Sequence, residues 1–209
     1  MSGKVICVAQ QKGGSGKTTL VVNLGVALAR RGLSVALLDT DPQGSLGHWF
    51  LRRRALPQGP GLEFSTSSAW GVSYECEKLR RQADVILIDT PPKVDADLRP
   101  ALRESDLVVV PVSASHVDLW ATEGVLDLAR REGKTPLLVM NRLRPGTRLA
   151  AEVTAAAAGL GADVAQATLA GRIVYAETLG EVLGALESPR RGPAGPEIDA
   201  LADEILRRL

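Results

Sequence analysis

The amino-acid sequence predicts an α/β fold in which helices cover both faces of a mostly parallel central β-sheet. Three observations carry this. Short runs rich in Val, Leu and Ile alternate with longer stretches of helical periodicity. Alternation of this kind builds parallel strands joined by right-handed helical crossovers. A glycine-rich stretch joins the first strand-like run to the first helix-like run, and two later strand-like runs end in aspartate.

The strands are expected at Val5–Ala9, Val35–Asp39, Val85–Asp89, Leu107–Val112 and Leu137–Met140, with a further one at Ala165–Leu169. They are near-continuous apolar runs, the pattern of strands buried on both faces. Helices are expected at Lys17–Arg31, Val72–Gln82, Asp95–Glu104, Val117–Glu132 and Arg148–Gly159. Gly32 closes the first of these as a C-cap, and Ser34 opens the next strand. Two segments dense in proline and glycine, Ala55–Gly61 and Ser188–Pro196, read as loops. A last helix is expected at Glu197–Leu209, where Ile198, Leu201, Ala202, Ile205 and Leu209 fall on one face.

The length of 209 residues fits one domain, residues 1–209, with a sizeable core. A net charge of +1 gives no global signal for nucleic acid, so any such contact must come from local patches or from dimerisation. The two cysteines, Cys7 and Cys76, form no CxxC pair and suggest no zinc or iron–sulfur site. His48 and His116 are isolated, so neither a metal cluster nor a Ser/His/Asp site has a constellation to stand on. No signal peptide and no run of membrane-spanning length is evident, which leads to the expectation of a soluble, cytoplasmic protein.

The chemistry concentrates in Gln11-Lys12-Gly13-Gly14-Ser15-Gly16-Lys17-Thr18-Thr19. Strand, glycine-rich loop, helix is the context of a phosphate-binding loop. Glycines let the backbone curl so that successive N–H groups face phosphate oxygens, and the helix adds its positive end. Lys17 is placed to reach the β- and γ-phosphates, and the Thr18 hydroxyl to ligate Mg2+. The standard pattern asks for glycine where Gln11 stands, and a second lysine, Lys12, opens the loop instead.

The run K-G-G-x-G-K-T resembles the deviant Walker A motif of the ParA/MinD group of P-loop ATPases. Three more segments extend the resemblance: Asp39-Thr40-Asp41-Pro42-Gln43, the Walker B-like Val85–Asp89, and Val139-Met140-Asn141-Arg142. Gly171–Glu177 is similar to a late segment of small ParA-type partition ATPases, and no N-terminal DNA-binding extension is expected. The resemblance implies a P-loop NTPase fold with ATP and Mg2+ as cofactors. Lys12 would reach the partner subunit's nucleotide. Asp41 would orient the attacking water, and Asp39 and Asp89 would support the metal through water. Asn141 would contact the base, its amide having both donor and acceptor for an adenine edge.

It further implies an ATP-dependent homodimer that binds DNA nonspecifically, associates with the nucleoid and is stimulated by a cargo-bound, ParB-like partner. The cargo would be a plasmid, a chromosome region or a protein cluster. Arg142, Arg144 and Arg172 are the leading candidate DNA contacts, with Arg148, Arg190 and Arg191 beside them. Arg52-Arg53-Arg54 is a candidate partner surface. A membrane-cycling role like that of MinD needs a basic, bulky amphipathic tail. The last helix carries Glu197, Asp199, Asp203 and Glu204 and no aromatic residue, so packing on the domain is its expected role. An iron-protein reductase needs two cluster cysteines per subunit, and a lone Cys76 beside a buried Cys7 does not supply them.

Overall fold

The computed structural model describes residues 2–56, 61–92, 97–189 and 192–209. Seven strands form one sheet: β1 (Lys4–Val8), β2 (Val35–Asp39), β3 (Leu62–Thr66), β4 (Val85–Asp89), β5 (Leu107–Ser113), β6 (Pro136–Asn141) and β7 (Asp163–Val164). Their order is β3-β2-β4-β1-β5-β6-β7, and every pairing is parallel. Eight α-helices accompany them among the described residues: α1 (Lys17–Arg30), α2 (Ser45–Arg53), α3 (Val72–Leu79), α4 (Arg99–Glu104), α5 (His116–Arg131), α6 (Arg148–Ala158), α7 (Ile173–Gly180) and α8 (Ala194–Leu206).

Side chains alternate across each strand, so the sheet divides the interior into two cores. Ile6, Val8, Leu37, Leu87, Val109 and Val139 face α1, α2, α7 and α8. Val5, Cys7, Leu38, Ile88, Val110 and Met140 face α3, α4, α5 and α6. Full burial of one such aliphatic side chain contributes roughly 1.5–3 kcal/mol. The apolar face of α8, with Ile198, Leu201, Ala202 and Ile205, is spent in the first core. Among the described residues no helix is long and apolar enough to cross a membrane.

Several elements differ from expectation. The segment Ala165–Leu169 does not continue as a strand. Its ends still bond to β6, Ala165 N–H to Leu138 O at 2.8 Å and Leu169 N–H to Met140 O at 2.9 Å. Between them the N–H groups of Gln166 and Ala167 turn to the Glu204 carboxylate of α8, which takes them out of the ladder. Helix α4 starts at Arg99 rather than Asp95, with Pro100 in its first turn, and residues 95–96 lie outside those described. Helix α8 starts at Ala194, inside the expected loop, and carries Pro196 in its first turn. Strand β3 and helices α2 and α7 had no counterpart in the sequence reading. The loop expected at Ala55–Gly61 includes residues 57–60, and the candidate contacts Arg190 and Arg191 also lie outside the described residues.

The connections set the place of a site. From β1 the chain crosses one face through α1 to β2, and from the adjacent β4 it crosses the other face through α4 to β5. Neighbouring strands whose crossovers leave in opposite directions open a crevice at their carboxyl ends, where open α/β sheets bind ligands.

Candidate nucleotide site

The glycine-rich loop lies in that crevice, between the end of β1 and the first residue of α1, Lys17. Gly16 precedes the helix at φ 92° and ψ 22°, a left-handed conformation that a side chain resists. A Cβ there would also meet Asn141 Nδ2 at 2.6 Å, so glycine is required on two counts. No side chain caps the first turn of α1. Its N–H groups and positive end therefore face the crevice as an anion site.

Strand register brings the carboxylates to the same edge. Val8 of β1 pairs with Asp89 of β4, and Asp89 pairs with Asp39 of β2. Thr40 ties the two strand ends, its N–H and hydroxyl both donating to the Asp89 carbonyl at 3.0 and 2.8 Å. The buried carboxylate of Asp39 is a backbone clamp: Oδ1 accepts from Asp41 N–H and Oδ2 from Gly47 N–H, each at 3.0 Å. It thereby fixes the start of the Asp41-Pro42-Gln43 turn and the first turns of α2. Burial pushes its titration upward, against the two backbone hydrogen bonds. Asp41 Oδ1 accepts from Gln43 N–H at 2.9 Å.

Thr18 Oγ1 donates to Asp89 Oδ2 at 2.6 Å, joining the loop to the end of β4. Asp89 is 1% exposed, and its other oxygen, Oδ1, is buried without a hydrogen-bond partner. Burial pushes the Asp89 carboxyl up to about 7, partly offset by the Thr18 hydroxyl. A buried carboxylate oxygen lacking a donor is costly, and a hard cation with its waters satisfies it. The donor set of Thr18 and Asp89 thus fits Mg2+. Lys17 is buried too, and desolvation lowers its titration against the favourable fields of Asp89 and Asp41. Phosphate oxygens are the group that such an ammonium, at a helix N-terminus that no side chain caps, is suited to meet.

Lys12 does not extend freely from the loop. Its ammonium is ion-paired with Asp118, in the first turn of α5, which is 5% exposed. Gln10, 1% exposed, ties the base of the loop to the same helix. Its amide donates to Thr122 Oγ1 at 3.0 Å and to Pro111 O at 3.2 Å, and Thr122 donates in turn to the Asp118 carbonyl at 2.7 Å. Neither Gln10 nor Asp118 stood out in the sequence. Gln10 is masked by the loop it precedes, and Asp118 is an ordinary first-turn acid until β5 is placed beside β1.

A cavity of about 620 Å3 continues from Gly16, lined by Leu20, Asn23, Leu169, Tyr175 and Ile198 and rimmed by arginines. Asn141 lies at its inner end and is itself buried. Its Nδ2 donates to Ser15 O at 2.9 Å, and its Oδ1 accepts from Arg142 N–H at 2.9 Å. Thr19 also borders this cavity, and its carbonyl accepts from Asn23. Gly13 stands near Pro92, and the buried Ser15 hydroxyl has no partner.

The candidate DNA contacts separate here. Arg142, at φ 54°, and Arg144 are exposed on the cavity rim. Arg172 also borders the cavity, but its guanidinium is held by Glu197 at 3.0 Å through Nε and 2.6 Å through Nη2. Arg148 pairs with Glu152 along α6. In the Arg52–Arg54 cluster, Arg53 is buried in a two-bonded pair with Glu187 at 2.9 and 2.7 Å, and only Arg52 and Arg54 face outward.

Comparison with known proteins adds to this geometry. The family described as the CobQ/CobB/MinD/ParA nucleotide binding domain matches residues 6–186. The maintenance of carboxysome distribution protein A of Halothiobacillus neapolitanus is 30% identical over 96% of this chain and 95% of its own length. The chromosome-partitioning ATPase Soj of Thermus thermophilus is 35% identical over 59% of each chain. The septum site-determining protein MinD of Pyrococcus horikoshii, solved with Mg-ADP, superposes with a TM-score of 0.76 at 21% identity, covering 97% of this chain and 96% of that one.

Proposed function

The chain belongs to the CobQ/CobB/MinD/ParA nucleotide-binding family, and on that premise we propose that it is an ATP-hydrolysing positioning protein of the ParA kind. The observation that carries this is the joining of the loop to the carboxylates. Lys17, the Thr18–Asp89 bond and the Asp39–Asp41 turn meet at one sheet edge, and Gly16 and Thr19 of the same loop line a cavity of nucleotide size. ATP with Mg2+ is the ligand pair of this site.

In phosphoryl transfer the protein works by positioning and by charge. The loop N–H groups and Lys17 hold the phosphates. Thr18 and Asp89 hold the metal, which supplies charge neutralisation when bound. Asp39 keeps the Asp41 turn in place through Asp41 N–H, and Asp41 orients the attacking water. Two copies close face to face with ATP, and Lys12 of each engages the nucleotide of the other.

The closed dimer binds DNA without base preference through Arg142 and Arg144, whose side chains stay exposed where Arg172 is paired. A ParB-like protein on the cargo stimulates hydrolysis and releases the dimer. The relative matched over nearly its whole length maintains carboxysome distribution, which supports a protein cluster as cargo ahead of a plasmid or chromosome region. Calorimetric titration with ATP in the presence of Mg2+, followed by phosphate release, tests the core of the reading. Binding with slow turnover is expected, and no ATP binding overturns it.

A further inference from the structure

We propose that Asn141 is a positioning residue of the phosphate loop, acting through the Ser15 carbonyl rather than chiefly as a reader of the base. This rests on the nucleotide reading above. The Ser15–Gly16 peptide is planar, so its C=O and N–H point in opposite directions. Asn141 Nδ2 holds that carbonyl at 2.9 Å, and the bond is buried. Fixing the carbonyl outward fixes the Gly16 N–H inward, toward the concave side of the loop where an anion sits.

The amide is itself held. Its Oδ1 accepts from the N–H of the next residue, Arg142, at 2.9 Å. One face of the amide therefore grips the loop and the other the end of β6. The approach is close enough that a Cβ on Gly16 would sit 2.6 Å from Nδ2. The loop thus rests on β6 across the sheet from β1, and its shape depends on a side chain 126 residues away.

The two roles separate by ligand. A base reader matters to ATP but not to inorganic tripolyphosphate, which has no base. A loop-positioning residue matters equally to both. Wild type, Asn141→Ala and Asn141→Asp are titrated by calorimetry with ATP, GTP and tripolyphosphate, with Mg2+ constant and folding checked by thermal unfolding. The expected result is a loss of about tenfold for all three ligands in both variants, with the ATP-to-GTP ratio unchanged. Loss of ATP affinity alone with a collapse of that ratio overturns the proposal, as does unchanged binding of all three.

A second measurement needs no variant. Tripolyphosphate should shift the side-chain amide resonance of Asn141 in the wild-type chain, and an unshifted resonance at saturation overturns the proposal. Failure of the wild type to bind ATP is a different result, which removes the nucleotide reading and this proposal with it.

Discussion

The ammonium of Lys12 is paired with the carboxylate of Asp118 in its own chain. The lysine that distinguishes this loop from an ordinary phosphate loop is thus folded back onto the first turn of α5, and it must leave Asp118 to serve a second subunit. The lysine side chain is 43% exposed and that of Asp118 only 7%, and the roughly 0.2–1 kcal/mol of an exposed pair is taken as the scale for its loss. Asp118→Asn should therefore tighten the ATP-dependent dimer by about two- to thirtyfold, since it removes the competing partner in each of the two subunits. Concentration-dependent light scattering with a slowly hydrolysed ATP analogue measures this. A weaker dimer would mean that Asp118 supports the closed state.

Lys17 and Asp41 should fail differently. Lys17→Ala removes the buried charge from the phosphates and should abolish nucleotide binding. Asp41→Ala removes the carboxylate that orients water and should retain binding while blocking turnover. The Asp41 variant should then accumulate with ATP bound. Filter-retained nucleotide together with phosphate release distinguishes the two, and equal turnover by Asp41→Ala and wild type contradicts the assignment.

Asp89 gives the metal-free protein a pH signature. Its carboxyl titrates near 7 in the folded chain, against an ordinary value of 3.8 in the unfolded one. Between those limits the folded chain holds the extra proton, so stability falls as pH rises through the window. Asp39 is shifted in the same direction. Thermal unfolding in chelator from pH 5 to 8 should show a falling Tm, and Asp89→Asn should flatten the slope. An unchanged slope in the variant would place the titration elsewhere.

DNA binding should appear only with ATP. A net charge of +1 gives one subunit little attraction, and a dimer places two sets of arginines on one duplex. Affinity should fall steeply with salt, with about 0.9 of log–log slope lost per phosphate contact removed. Arg142→Ala with Arg144→Ala should weaken binding to unrelated duplexes and leave dimerisation intact. Mobility shifts with ATP, ADP and no nucleotide are the test. Equal binding in all three removes the nucleotide switch.

Much of this was legible in the residues. β1, β2, β4, β5 and β6 are buried on both faces, and that burial forces the continuous apolar runs by which they were recognised. Strand β3 escaped because it is an edge strand with half-exposed residues. Helix α2 escaped because Gly47 sits inside it and its inner face ends in Arg53, a buried charge satisfied by Glu187 and the Val182 carbonyl far along the chain. The aspartates at the ends of β2 and β4 stand side by side, since register follows from parallel strands of equal length. The partners of Lys12, Asn141 and Arg172 were not legible. Each lies more than a helix away in sequence, and only the packing of the folded chain brings them together.

Sedimentation of the wild-type chain tests the central claim most directly, that ATP closes two copies through Lys12. With a slowly hydrolysed ATP analogue and Mg2+ the chain should sediment as a dimer, with ADP mostly as a monomer, and Lys12→Ala as a monomer with either. A monomer under both nucleotides, or a Lys12→Ala dimer as strong as the wild type, would contradict the account.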